Sequence, residues 1–295
     1  MDSCAQLGLP CQGIRAAQRP VVQARVQGRA LACLTLVLAL LAGTPHALSE
    51  PTNSIGMDFV CLPAGSFLLE PQVPRSAQKA SQSTEESRTK MVISRPFCLG
   101  IYPVTQAQWE TVMGSNPSWF KGPSRPVENV SWNDAQDFIR RLNAREGTQK
   151  YRLPTEMEWE YAARGGTQGR YFFLDRVHSW EDAELALCDY AWFNKNAGGT
   201  TQPVGQKKPN PYGLYDIYGN VWEWVQDRFA PLLPSGPEFV DYTGPPPSPV
   251  NNRERVFRGG SFGLSSVYSR SGSRRSLQPD YKHNDIGFRV AFTLQ

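Results

Sequence analysis

Thiols, imidazoles, carboxylates and one run of hydroxyls are the groups in this 295-residue chain that could do chemistry. Its six cysteines, Cys4, Cys11, Cys33, Cys61, Cys98 and Cys188, contain no CxxC pair for zinc or redox work. The three histidines, His46, His178 and His283, lie far apart in sequence. A histidine-based metal centre or a Ser-His-Asp triad therefore has nothing evident to build on. Ser261, Ser265, Ser266, Ser269, Ser271 and Ser273 run beside Tyr268, Arg270, Arg274 and Arg275. Hydroxyls interleaved with guanidiniums suit a pocket for an anionic or polar ligand, for which Ser261, Ser265, Tyr268, Ser269, Arg270 and Arg274 are the candidates. The same composition also suits a solvated loop.

The elements that would position these groups follow from caps and periodicity. Thr105 with Gln108 reads as a capping box opening TQAQWETVM, which Gly114 closes. Ser131 opens WNDAQDFIRRLNARE, where Trp132, Ala135, Phe138, Ile139 and Leu142 share one helical face. Thr155 with Glu158 caps EMEWEYAAR, ended by Gly165-Gly166. Beyond Gly166 helical periodicity vanishes, and short apolar runs alternate with Gly, Pro, Asn and Asp. MDFVCLPAGSFLL, PFCLGIYPV, RVFRGGSF and GFRVAFTL have strand character, while 71–90 and the proline-rich 244–249 read as surface loops.

Composition sets the frame. Apolar residues make up 40% and charged residues 20%, which excludes a disordered chain and a polytopic membrane protein. The 49 Pro and Gly residues favour a loop-rich fold over a helix bundle. Residues 31–43, LACLTLVLALLAG, follow Arg25 and Arg29 and suit the apolar core of a general secretory signal. Cleavage after Ala47-Leu48-Ser49 would leave a single domain over 50–295, periplasmic or secreted, with no stable membrane span. That domain has 27 basic and 26 acidic residues, a balance that asks for no nucleic-acid partner. Of its three cysteines, Cys61, Cys98 and Cys188, two could form a disulfide, and spacing alone does not choose the pair.

Seven segments in order resemble the formylglycine-generating enzyme (sulfatase-modifying factor) family. They are Pro103-Val104-Thr105, PVENVSWNDA from Pro126, RLPTE to AARGG over 152–166, Tyr212-Gly213-Leu214-Tyr215-Asp216, GNVWEW from Gly219, Arg258-Gly259-Gly260-Ser261 and Gly287-Phe288-Arg289. The resemblance covers about 55–295 and implies an α+β, C-type-lectin-like fold with few regular strands. The family's enzymes oxidise a sulfatase cysteine to formylglycine, using two copper-binding cysteines placed shortly after the GGS motif. Leu264 and Ser269 stand at those two positions here, and no cysteine follows Cys188. A soft copper(I) ion needs thiolate, so no copper and no formylglycine generation are expected.

Calcium is the cofactor that the resemblance retains. It implies one site at Asp216, Gly219, Val221 and Glu223, with the two glycine and valine carbonyls between two carboxylates, and a second at Asp189, Tyr190, Asn196 and Gly198. For function it implies an exported accessory or maturation factor, or a non-copper oxidoreductase, acting on a secreted peptide, protein or small molecule. The leader and compact length resemble a periplasmic siderophore-maturation member of the family, which also lacks the cysteines. The alternative is a ligand-binding module, because variable proteins of diversity-generating retroelements share the RGGS-to-GFR frame. Iron-dependent oxygenase relatives carry a histidine-bearing companion domain, for which this chain has neither room nor histidines.

Overall fold

The capping chemistry read from the sequence is built as expected. The computed structural model describes residues 48–50, 52–69, 88–174, 179–246 and 253–294. The apolar run 31–43 lies outside the described residues, as do 71–87 and 247–249 of the two expected loops. In chain order come β1 (Leu48–Glu50), β2 (Phe59–Leu62), β3 (Gly65–Leu68), β4 (Lys90–Ile93) and β5 (Phe97–Gly100). The strand β1 spans the position at which signal cleavage was expected.

Helix α1 (Gln106–Met113) opens on the Thr105–Gln108 box and α2 (Trp132–Glu146) on Ser131 with Asp134. After β6 (Tyr151–Arg152), α3 (Glu156–Arg164) opens on Thr155 with Glu158. Glycines with left-handed backbone, Gly114, Gly147 and Gly165, end the three helices. The α2 face is buried through Ala135, Phe138, Ile139 and Leu142, while Trp132 is half-buried and its indole N–H donates to the Val225 carbonyl.

One expectation is corrected beyond Gly166. A fourth helix, α4 (Trp180–Leu187), starts on Ser179, whose hydroxyl accepts the Asp182 N–H. It is eight residues long and buries only Ala183 and Leu187, too little to leave a periodic trace. Then follow β7 (Trp222–Arg228), β8 (Glu238–Val240), β9 (Arg255–Arg258), β10 (Arg274–Leu277), β11 (Ile286–Phe288) and β12 (Ala291–Thr293). Among the described residues only β7 reaches seven residues.

The strands form three sheets, ordered β1-β2-β5-β12-β6, β10-β9-β7-β11 and β3-β4-β8. MDFVCLPAGSFLL does not form a hairpin, since β2 and β3 enter different sheets. GFRVAFTL likewise splits: β11 runs parallel to β7, and β12 pairs antiparallel with β5 and β6. A disulfide joins Cys61 to Cys98, which lie opposite each other on β2 and β5, and Cys188 is buried at the end of α4. Among the described residues no helix is long and apolar enough to cross a membrane.

Helix α3 is the pivot of the fold, for all nine of its residues are buried, including three glutamates and an arginine. A helix buried all round is ordinarily apolar. Here Arg258 of β9, with no exposed surface, supplies the compensation. It donates to Glu156 at 3.1 Å, to Glu160, and to the Ser271 carbonyl at 2.9 Å. Arg164 donates to Glu160 at 2.6 Å, and Arg274 of β10 takes both oxygens of Glu156 at 2.7 and 2.9 Å. Burial opposes charge on Glu160, but Arg164 and Arg258 outweigh it and hold the carboxyl below its usual range. Asp227 of β7 accepts the Glu156 N–H at 2.7 Å; burial, then repulsion from Glu156, outweighs the charge of Arg274 and pushes its proton affinity well above the ordinary range.

Two outcomes follow from this cluster. Arg258→Met leaves buried carboxylates short of a cation and costs about 3–5 kcal/mol in denaturant unfolding. Lys90→Ala, which breaks the exposed Lys90–Glu238 pair, costs at most about 1 kcal/mol; equal losses would refute the assignment. Folding also raises the proton affinity of Asp227, so its contribution to stability is greatest in acid and is lost as pH rises above the ordinary carboxylate range. Asp227→Asn keeps an acceptor for Glu156 without the charge, and should flatten that decline in stability measured across pH.

Candidate functional site

The serine-rich segment was expected either to line a pocket or to form a solvated loop, and the burial of most of its hydroxyls speaks against the solvated loop. Ser261, Ser266, Ser269, Ser271 and Ser273 are buried. Ser266 donates to Glu184 of α4 at 2.6 Å, and Ser271 shares a hydrogen with Tyr218 at 2.6 Å. These hydroxyls stitch a turn of 3-10 helix, Ser266–Tyr268, to its surroundings. Arg274 leaves the candidate pocket altogether, its guanidinium being committed to Glu156 and the Ala230 carbonyl. Arg270 stays near the turn, donating to Ser273 at 3.3 Å, and Arg275 lies 4.6 Å over the Tyr268 ring. Ser265 precedes the turn and is half-buried.

Leu264 and Ser269 flank that turn. Leu264 is half-buried against the apolar core, and its carbonyl accepts from Asn194. The Ser269 hydroxyl is buried without a hydrogen-bond partner, beneath Gly260, where an added Cβ would stand 2.6 Å from it. A methylated alkyl chain and a hydroxyl offer copper(I) no soft ligand, so the residues do not fit that ion.

The expected calcium ligands fit unevenly. Glu223 is buried in a two-pronged pair with Arg289, at 2.6 and 2.7 Å, and also accepts the Trp159 indole N–H at 2.7 Å. Its charge is already balanced, which removes it from a cation shell. Asp216 fits better: it accepts the Gly205 N–H at 2.7 Å, and burial pushes its carboxyl up to about 6. In the second set, Asp189 pairs with Lys208 at 2.7 Å. The amide of Asn196 is turned inward, to Phe193 and Ala191. Those two side chains close a loop rather than face a common ion.

A different constellation is assembled where two distant segments touch. Gly287 has no side chain, and a Cβ there would collide with the Val127 carbonyl. That close approach brings Glu128 beside the loop that ends at Asp285. Asn129, with left-handed backbone (φ 62°), donates from its main chain to the His283 carbonyl and from its side chain to the Pro117 carbonyl. Glu128 is wholly buried, with Oε1 accepting the Phe120 N–H at 2.8 Å and Oε2 having no hydrogen-bond partner. Burial pushes its carboxyl up to about 7; main-chain N–H groups and Lys121 oppose this, and Asp285 adds to it. Asp285 accepts from Ser261 at 2.8 Å and faces His283 Nδ1.

Ser261, Asp285 and His283 form a hydrogen-bonded chain. Because the carboxylate sits in the middle, the imidazole does not reach the serine, and the chain is not a nucleophilic triad. Nothing in the spacing of Glu128 and Asp285, 157 residues apart, announces their meeting. The one signal was a glutamate set next to Val127 and two residues before Val130, both of which are buried.

Comparison with known proteins accounts for the motifs. Residues 45–294 match the model of the sulfatase-modifying factor enzyme 1-like domain. The chain is 30% identical over 274 residues to chaperone protein LppX of Paenibacillus barcinonensis, covering 76% of this chain and 91% of that protein. Among solved structures, Treponema denticola variable protein 1 superposes with a TM-score of 0.69 at 30% identity, over 85% of this chain and all of the other. PvdO of Pseudomonas aeruginosa superposes with a TM-score of 0.64 at 26% identity, again over 85% of this chain and all of that one. With its α+β, C-type-lectin-like fold and its motifs in register, the chain belongs to the formylglycine-generating enzyme (sulfatase-modifying factor) family.

Proposed function

We propose that this protein is an exported accessory factor that binds a secreted peptide, protein or small molecule and assists its maturation without copper chemistry. One observation carries the proposal: the buried scaffold of the family is whole, while Leu264 and Ser269 occupy the thiolate positions. The long match to a protein named a chaperone supports an assisting role. No redox group of this chain is needed for such a role, and the non-copper oxidoreductase variant of the proposal would need a cofactor from elsewhere. Export rests on the leader-like segment 31–43, followed by the matched domain.

A second reading is a ligand-display module, favoured by the superposition on Treponema denticola variable protein 1. A near-copy of the Arg258–Arg289 coding segment beside a reverse-transcriptase gene would decide for it.

Three outcomes test the proposal. Purified protein supplied with copper(I) and a sulfatase cysteine peptide should leave the thiol unchanged by mass spectrometry; conversion to an aldehyde would overturn it. A strain lacking the gene should accumulate an immature form of some exported product, and an unchanged exported profile would contradict the maturation role. Calcium belongs to the proposal at Asp216 with the Gly219 and Val221 carbonyls, Glu223 being held by Arg289. At a hundredfold excess over its Kd, calcium should stabilise the fold by about 2.7 kcal/mol, an effect lost in Asp216→Asn. Identical melting in calcium and in chelator would remove the ion from the account.

A further inference from the structure

We propose that Glu128 and Asp285 form a recognition site for a primary ammonium group. Glu128 has no exposed surface, and its Oε2 has no hydrogen-bond partner. A buried carboxylate oxygen left so is costly, and a second carboxylate nearby raises that cost. The neighbouring cations are engaged elsewhere: Lys121 donates to the Asn116 carbonyl at 2.7 Å, and Lys282 pairs with Asp134 at 2.8 Å. His283 is turned to Asp285. Asp285 keeps a sixth of its side-chain surface exposed and His283 about half, so the acid pair borders solvent on the Asp285 side.

The geometry selects among cations. Among the described residues no three His, Cys, Asp or Glu side chains converge as a metal site, which argues against a divalent ion. A guanidinium prefers both oxygens of one carboxylate. Glu128 offers one, and both Asp285 oxygens are taken by Ser261 and His283. An ammonium is compact and carries three donors, so one N–H can satisfy Oε2 while its charge relieves the repulsion between the acids. The rings of Trp119, 72% exposed, and Tyr281, 43% exposed and stacked on His283, belong to the two segments that bound the site. Exposed aromatic faces attract such a cation. The site would take a free alkyl amine or a lysine side chain.

This inference shares with the proposed function only the premise that the protein binds a ligand, and direct binding is independent of any deletion phenotype. Full-length domain is titrated with n-butylammonium, with n-butanol as the neutral analogue and with a terminally blocked tripeptide bearing one central lysine. Binding is followed by calorimetry and by tryptophan fluorescence. Saturable binding of n-butylammonium with none of n-butanol is expected; tighter binding of the tripeptide would name a peptide lysine as the source, and weaker binding a small amine. Glu128→Gln should weaken binding about tenfold or more, since a charged hydrogen bond is removed. Trp119→Ala, at an exposed position, should weaken it a few-fold. Circular dichroism checks that Glu128→Gln is folded, and should it not fold, Asp285→Asn takes its place. Equal binding of n-butanol, no binding of any amine, or undiminished binding by the carboxylate variants would overturn the proposal.

Discussion

Everything in this fold leans on the guanidinium of Arg258, held without solvent between the glutamates of a fully buried helix. Charges in such a place are tolerated only if paired and hydrogen-bonded throughout. Arg258 meets Glu156, Glu160 and a main-chain carbonyl, while Arg164 and Arg274 complete the two carboxylates. A parallel arrangement stands beside it, since Glu223 lies opposite Arg258 in the β7–β9 ladder and accepts from Trp159 of the same helix. Arg289 grips Glu223 and also donates to the carbonyls of Gly100 and Tyr215, tying β5 and the Tyr215 loop to β7. Such pairs contribute little net stability over an apolar core, but they tolerate few alternative arrangements. The strands are short and the loops long, so this specificity stands where extended ladders are absent.

The recognisable motifs therefore describe a scaffold more than a reaction. RGGS supplies Arg258 and the hydroxyl that meets Asp285; GFR supplies the close approach at Gly287 and the grip of Arg289; GNVWEW supplies Glu223. Their joint presence makes the family plain. In the function proposed, the chemistry of the family's enzymes depends on two further positions, which the resemblance puts at Leu264 and Ser269. The turn at 266–268 is tied to its surroundings through Ser266 and Ser271, and Gly260 leaves room for Ser269.

What was legible in the sequence had local causes. Thr105, Ser131 and Thr155 each announce a helix because a cap and its reciprocal partner lie three residues apart. Helix α4 escaped because eight residues with two buried positions show no period. The burial of the serine run was not legible for a related reason: composition shows polarity, whereas burial depends on which distant carboxylates and phenols meet those hydroxyls. Arg274 looked like an anion site and proved to be spent on Glu156. The acid pair of Glu128 and Asp285 was illegible, since only the three-dimensional contact of Gly287 with Val127 creates it.

The central claim is that the family scaffold survives intact around two positions that no longer hold thiolates. Its most direct test is to restore them. Protein carrying Leu264→Cys together with Ser269→Cys should bind one equivalent of copper(I) in competition with a chelator, while the natural sequence binds none at that turn. If the doubly substituted protein folds and yet takes up no copper, the turn has departed from the family geometry and the account is wrong.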